Sequence, residues 1–478
     1  MKTDEIINLS ATAVVDALKT GELDLLEYVD VLLTRCEEFN FLNAFVTLEA
    51  DKLRESSKHK DKWKGPLYGL PLIIKDNIDV AGMPTTACTP ALKNWVPENN
   101  ATITQSLIDA SAQVMGKASM HELAYGITSD NAYYGNVCNP YDFDCIPGGS
   151  SSGTAAAIVA RLVPAGLGSD TGGSCRMPAS LCGCVGFRPS TGRYSNQGVI
   201  CLSWSRDTAG ILARTVDDIA LLDQVCSEDN VVPPESVDLQ GLRLGIPRTG
   251  FYDDLDTGTA KVMNNALKQL IDAGATLIEA DMTNIFELEM ASSFPAVLFE
   301  SVRELSVYLG RNASKITVSE IIAEISDPAI KQMFAQQYSE EAVTSDMYFG
   351  GVVENRPKLQ QAYSNYFKEN KLDAIVVPTT PIPARSRLLS DVNKSVELNG
   401  READTFLTYT RNVSAASNVG LPALSIPAGL TGAGLPVGIE FVGERSQDMK
   451  LLSIGKAFES CRPDLPAPTM NRSPLRVD

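Results

Sequence analysis

The sequence predicts an α/β protein, and two observations carry that expectation. Short apolar runs bounded by Gly, Pro or Asn recur along the chain, and amphipathic stretches of ten or more residues alternate with them. A chain of 478 residues, 44% hydrophobic and 21% charged, has an ordinary globular balance and far more length than one small core needs. The alternation argues against a helical bundle or a β-sandwich.

Residues 1–60 read as helical. From Leu25 through Tyr28, Val29, Leu32, Leu33 and Cys36, apolar residues recur at three- and four-residue steps, with Glu27, Asp30, Thr34 and Arg35 on the other face. Residues 67–74 are short, apolar and punctuated by proline, as a buried strand is, and the run ends at Lys75-Asp76-Asn77. A helix is expected over 104–112 and a short strand over 113–115. Residues 147–195 differ in kind. Gly, Ser, Ala and Thr dominate 147–170, and Thr171-Gly172-Gly173-Ser174 follows. Such small residues let backbone approach a ligand closely. Within this stretch 154–162 reads as an alanine-rich helix, 163–169 as a buried strand, and 177–182 as a helix with Pro178 in its first turn. Further strands are expected at 242–246, 276–280, 374–377, 423–427 and 437–442. Helices are expected at 215–225, 259–273, 358–369, 406–418 and 449–461. Residues 283–370 are helical and strand-poor, which suits a substrate-facing insertion. No repeat, low-complexity tract or linker interrupts the chain, so one domain over 1–478 is expected.

Composition excludes several classes. A net charge of −18 would oppose any surface that tracks phosphates, so nucleic acid is not an expected partner. The first seven residues are polar and acidic, without the apolar stretch of a signal peptide. No run approaches the roughly 20 apolar residues that cross a bilayer. The ten cysteines form no CxxC pair and read as buried thiols of a reducing compartment. A cytoplasmic protein with no membrane partner is expected.

Several motifs nearly appear. Gly149-Ser150-Ser151-Ser152-Gly153 spells GxSxG, but that nucleophile elbow needs a later histidine, and His59 and His121 both precede Ser151. Gly148 to Gly153 has the glycine spacing of a phosphate loop, yet Thr154 stands where lysine is required. His121-Glu122 begins a zinc-protease motif that Tyr125 interrupts, so no metal site is expected. Ser57-Lys58-His59-Lys60 fits SxxK, but a solvated helix face in the charged run 52–64 explains it better.

What remains is a polar Gly/Ser region without histidine. Hydrolysis there needs a nucleophile, a base and an oxyanion site. Lys75 ends the apolar run Leu70-Pro71-Leu72-Ile73-Ile74, and burial disfavours an ammonium. Bringing its pKa near neutrality would cost roughly 4 kcal/mol. Taken alone, a lysine at a strand end more often snorkels to solvent, and that reading is the stronger one for Lys75. Gly172-Gly173-Ser174 before a helix suits a nucleophile beside free N–H donors, but taken by itself a simple glycine-rich turn is the better reading.

Together these segments say more. Gly148-Gly149-Ser150-Ser151-Ser152-Gly153, followed by Gly168-Ser169-Asp170-Thr171-Gly172-Gly173-Ser174-Cys175-Arg176-Met177-Pro178-Ala179, closely resembles the motif that names the amidase signature family. Gly69-Leu70-Pro71-Leu72-Ile73-Ile74-Lys75-Asp76-Asn77 resembles that family's lysine motif. The likeness is clearest over 65–215 and 412–443 and weakest over 283–370. Ser152 and Cys175 depart from it, replacing a more usual glycine and a more usual aliphatic residue. The resemblance implies a single large mixed β-sheet sandwiched between α-helices. It also implies that Ser174 is the nucleophile, that Ser150 on a cis peptide shuttles the proton, and that Lys75 is base and then acid. Backbone N–H groups of Thr171, Gly172, Gly173 and Ser174 would form the oxyanion hole, with Ser151, Asp170 and Arg176 holding the loops. No cofactor is implied.

Residues 120–129 and 191–195 look most like those of the family's mandelamide and indoleacetamide hydrolases. That implies a small, aryl-substituted amide cleaved to carboxylate and ammonia, with Tyr125 and Gly126 as substrate contacts. Anilides, carbamates and esters share the same chemistry and stay open, as does a homodimer. The rival readings are the amidase subunit of a tRNA-dependent amidotransferase, whose arginine-centred glutamine pattern is missing, and a silent binding protein. Intact Lys75, Ser150 and Ser174 argue against the second.

Overall fold

The computed structural model describes residues 1–227, 237–312, 314–388 and 391–470; the other positions of the expected 1–478 domain lie outside the described residues. Its thirteen strands are β1 Phe45–Leu48, β2 Pro71–Lys75, β3 Gln113–Ala118, β4 Ala165–Asp170, β5 Val185–Arg188, β6 Thr208–Ala213, β7 Arg243–Ile246, β8 Thr276–Glu279, β9 Ala374–Pro378, β10 Ser395–Leu398, β11 Arg401–Asp404, β12 Ala423–Leu430 and β13 Pro436–Val442. Eleven of them form one sheet in the order β1-β3-β2-β4-β6-β5-β12-β13-β9-β7-β8, and β10 and β11 make a separate hairpin. Pairing is parallel for β2 with β3 and β4, and for β7 with β8 and β9. The remaining neighbours run antiparallel, so the sheet is mixed.

Strand alternation explains why both faces are covered. In β12, Leu424 and Ile426 turn towards the helix Asp448–Cys461, where Gly455 approaches so closely that a Cβ would lie 2.3 Å from Leu424. Ser425, between them, faces the opposite layer and lies 2.8 Å from the Thr379 hydroxyl, while a Cβ on Gly438 of the neighbouring β13 would meet Ser180 in the helix Arg176–Cys182. A glycine on the helix in one layer and a glycine on the strand in the other set this close approach. The helix Ser152–Val159 is buried along its whole length, which is why its sequence is apolar and small all round, not amphipathic.

The structure shifts several expectations. Residues 1–60 contain strand β1 between their helices, and the strand expected at 113–115 runs on to Ala118. Strands β5 and β6 were not expected. The helix expected over 406–418 is two, Thr405–Thr410 and Ser414–Asn418, separated where the Val413 carbonyl accepts from Arg176 at 3.1 Å. Ser57 is not on a solvated face: it is buried, and its hydroxyl donates to the Leu53 carbonyl at 2.7 Å. Among the described residues no disulfide joins any of the ten cysteines; eight are buried, but Cys138 is half-buried and Cys461 exposed. Among the described residues no helix is long and apolar enough to cross a membrane.

The segment 283–370 is helical, as expected, and its long helix Ile285–Arg311 lies across the loops that follow the central strands. Different turns of that helix reach segments far apart in the chain. Glu289 meets Asn418 at 2.7 Å, Ser301 meets Tyr125 at 3.3 Å, and Tyr308 donates to Asp79 at 2.7 Å.

Candidate active site

Strands β2 and β4 are parallel neighbours, so their carboxyl ends open on the same edge of the sheet, where ligands of α/β proteins collect. Lys75 is the last residue of β2, and Ser169 lies one residue before the end of β4. Both are buried. The Lys75 Nζ lies 2.7 Å from Ser150 Oγ, 2.8 Å from Ser169 Oγ and 3.4 Å from the Ser169 carbonyl. Asn77 fixes Ser169 from the other side, donating to its Oγ at 3.1 Å and to the Ile200 carbonyl at 3.0 Å. Burial lowers the Lys75 pKa from 10.5 to about 8, while Cys175, Asp170 and Asp207 pull the other way. Lys75 therefore does not snorkel.

Ser150 enters through a cis Gly149–Ser150 peptide. Its carbonyl accepts from the His121 N–H at 3.2 Å, and the next residue's N–H, on Ser151, donates to the Ser174 carbonyl at 3.2 Å. The Ser151 hydroxyl donates to the Ser169 carbonyl at 3.2 Å, closing the loop onto β4. Among the described residues no hydrogen bond joins the Ser150 and Ser174 hydroxyls. Lys75 and Ser150 are brought into direct contact, and Ser174 is tied to them through backbone.

Asp170 organises the glycine-rich loop. Its Oδ1 accepts from the Gly173 N–H at 2.9 Å and its Oδ2 from the Cys175 N–H at 3.1 Å. Arg176 grips the same carboxylate with two nitrogens, each at 3.1 Å, and Arg188 adds a third contact at 3.1 Å. Burial alone would raise the Asp170 pKa, but Arg176 and Arg188 hold it well below the usual carboxylate range. Arg176 also reaches Glu440 at 2.5 Å, so two buried guanidiniums face two buried carboxylates. The N–H of Gly173 is thus already donated to Asp170. Among the described residues Thr171, Gly172 and Ser174 donate theirs to no protein group.

Tyr125 is half-buried, with its ring edge-on to Phe334 at 5.1 Å and its hydroxyl 3.3 Å from Ser301. Gly126 answers a packing need, because a Cβ there would sit 2.2 Å from His121 Nε2. His121 is buried, which lowers its pKa to about 4, and its Nδ1 accepts from the Ser129 N–H at 3.0 Å. Among the described residues, no group of three or more His, Cys, Asp or Glu converges as metal ligands would.

The sequence reading missed Ser169, Asn77, Arg188 and Arg206. Ser169 and Lys75 each stand at the end of an expected strand, which was the available signal. Arg206 gave no local signal, since its contact with the Thr171 carbonyl, at 3.1 Å, spans 35 residues.

Comparison with known proteins sets the class. The Amidase family model matches residues 27–452. The chain is 42% identical over 446 residues to an indoleacetamide hydrolase of Rhizobium radiobacter, covering 92% of this chain and 94% of that one. It is 38% identical over 464 residues to a mandelamide hydrolase of Pseudomonas putida, covering 93% and 89%. The crystal structure of a peptide amidase from Stenotrophomonas maltophilia superposes with a TM-score of 0.82 at 25% identity, covering 97% and 99%. Fold and sequence together define a hydrolase of C–N bonds in amides. The chain belongs to the amidase signature family.

Proposed function

We propose that this protein hydrolyses a small aryl-substituted carboxamide to its carboxylate and ammonia through an acyl-enzyme on Ser174. The observation that carries the mechanism is the buried contact of 2.7 Å between Lys75 Nζ and Ser150 Oγ. A neutral amine has two N–H donors and one lone pair. With its N–H groups directed at the Ser169 hydroxyl and carbonyl, the lone pair is left for the Ser150 proton.

As Ser174 Oγ attacks the carbonyl carbon, its proton passes to Ser150 and the Ser150 proton passes to Lys75. The oxyanion that forms is received by the N–H groups of Thr171, Gly172 and Ser174, preorganised by the Asp170 contacts. When the C–N bond breaks, the Lys75 proton returns through Ser150 to the leaving nitrogen. Water then attacks the acyl group with Lys75 again as base, and carboxylate leaves. Asp170, Arg176 and Ser151 hold the loops in place and do not touch the reacting atoms.

Aryl substrates are supported by the likeness to indoleacetamide and mandelamide hydrolases over more than nine-tenths of this chain. A single domain is supported by the one sheet that takes strands from 45 to 442. The test is ammonia release from a panel of arylacetamides, aliphatic amides, anilides and esters, using the purified chain and Ser174→Ala. Turnover of arylacetamides that Ser174→Ala abolishes is expected. Undiminished turnover in that variant would remove the nucleophile, and failure on every aryl amide would remove the substrate class.

A further inference from the structure

Gly172 is the partly exposed residue of the glycine-rich loop. A Cβ built on it would have nothing nearer than Arg206 Nη2 at 3.6 Å and Ser414 Oγ at 3.7 Å. The open side of the loop is therefore bordered by Arg206 and Ser414. Arg206 is buried, bonded to the Thr171 carbonyl at 3.1 Å, to Ser414 Oγ at 3.0 Å and to Ser293 of the long helix, with Glu289 at 3.7 Å.

Two residues before Arg206, the Trp204 side chain turns outwards and is 43% exposed. Its ring centroid lies 6.1 Å from that of Tyr348. Tyr348 stacks on Phe299 at 4.3 Å and 18°, and Phe349 sits edge-on to it at 6.1 Å with 57% of its surface exposed. Four aromatic rings thus continue outwards from the loop that carries Arg206. A fully buried carboxylate joins the two parts. Glu300 accepts from the Tyr348 hydroxyl at 2.8 Å on one oxygen, and from Ser205 N–H at 3.2 Å, Ser205 Oγ at 3.0 Å and Ser203 Oγ on the other. Burying a charge is costly unless its oxygens are satisfied, and here they are satisfied only while the Tyr348 segment stays docked.

The backbone supports the same placement. Pro295 lies inside the long helix and has no N–H to donate to the Ala291 carbonyl. Gly351, in the π turn Gly350–Asn355, packs at that break, where a Cβ would stand 3.3 Å from the same carbonyl. A π turn of this kind is uncommon and is frequent at functional sites.

We infer that Trp204 and Tyr348, flanked by Phe299 and Phe349, form the platform that receives the aromatic ring of the substrate, and so determine its specificity. This rests on the amide reading above. The occupant is an aryl group because the exposed Trp204 and Phe349 rings stand tilted to Tyr348 by 58° and 66°, beside the loop that carries Arg206, and because aromatic rings favour offset or edge contact with another ring.

The experiment compares kcat/KM for an arylacetamide and a straight-chain aliphatic amide in the full chain, Trp204→Ala, Tyr348→Ala and Tyr348→Phe. The ratio of aryl to aliphatic kcat/KM is expected to fall about tenfold in both alanine variants, chiefly through KM for the aryl amide. Tyr348→Phe keeps the ring and should keep the ratio within about threefold. If an alanine variant fails to fold, Trp204→Leu supplies the same comparison. Equal losses on both amides, or no change on either, would overturn the platform. So would an unchanged ratio accompanied by a change of oligomeric mass, which would assign the patch to contact between copies. A wild-type chain that turns over aliphatic but no aryl amides would defeat the substrate reading itself before any variant is compared.

Discussion

Lys75 Nζ and Ser150 Oγ lie 2.7 Å apart, and neither side chain reaches solvent. With burial holding the amine at about 8, only the neutral form can take the Ser150 proton. Wild-type kcat/KM should therefore fall about tenfold for each pH step below 8 and level off above it. Lys75→Met should lower kcat/KM by roughly 10³-fold or more. A wild-type rate that stays flat from about pH 6 to 9 would reject the neutral-lysine base.

The same burial bears on stability. The folded pKa of Lys75 lies below its ordinary 10.5, so the unfolded chain binds more protons between about 8 and 10.5. Native stability gains from this residue as pH rises through that window, and below it the full penalty applies. Lys75→Met should stabilise the fold at pH 7 by up to about 3 kcal/mol, less its lost hydrogen bonds. Urea midpoints should show that gain shrinking towards pH 10.5.

Ser169 accepts from the amine at 2.8 Å and so favours its charged form. Ser169→Ala removes that acceptor. The plateau of kcat/KM should drop about tenfold, and the rising limb should move to lower pH by less than about one unit. A plateau that drops with the limb unmoved would make Ser169 a packing residue only.

Much of this was legible from the chain. The apolar run 67–74 that ends at Lys75 and the stretch 163–169 were readable as strands, because buried strands are short, apolar and sharply punctuated. Their parallel pairing was not readable, and it is the pairing that puts Ser169 against Lys75. Strand β6, Thr208-Ala-Gly-Ile-Leu-Ala213, carries no alternation because both its faces are buried, so its pattern does not separate strand from helix. The helix expected at 406–418 failed for a tertiary reason. Arg176 draws on the Val413 carbonyl, and the Val413 side chain closes over Gly173. Residues 283–370 were readable as helical, but which turn would reach Arg206 or Tyr125 depends on contacts far apart in the chain.

Asp170 carries the charge that two buried arginines share. Asp170→Asn keeps the shape and leaves those guanidiniums underpaired, which costs about 3–5 kcal/mol in buried clusters. Because Arg176 and Arg188 depress the Asp170 pKa, its stabilisation is fully present above the ordinary 3.8 and is lost as pH falls towards the folded value. The gap in unfolding free energy between wild type and variant should be largest near neutrality and close as pH drops below 3.8. An unchanged gap at acid pH would mean that the variant acts through packing, not charge.

Gly172 and Gly173 are adjacent, yet their substitutions should separate sharply. Gly173 has φ +111°, and a Cβ there would fall 2.4 Å from Val413 Cγ2, against a side chain held between the two short helices. Gly173→Ala therefore meets both backbone strain and overpacking, together about 2–4 kcal/mol. It would also disturb the Gly173 N–H bond to Asp170, which sets the loop's remaining donors. Gly172 has open space to 3.6 Å, so Gly172→Ala should leave the unfolding free energy within about 0.5 kcal/mol of wild type. Its methyl would project towards the opening between Arg206 and Ser414, so its effect belongs in KM. Equal destabilisation by the two alanines would mean that the loop is held in a conformation other than the one Asp170 imposes.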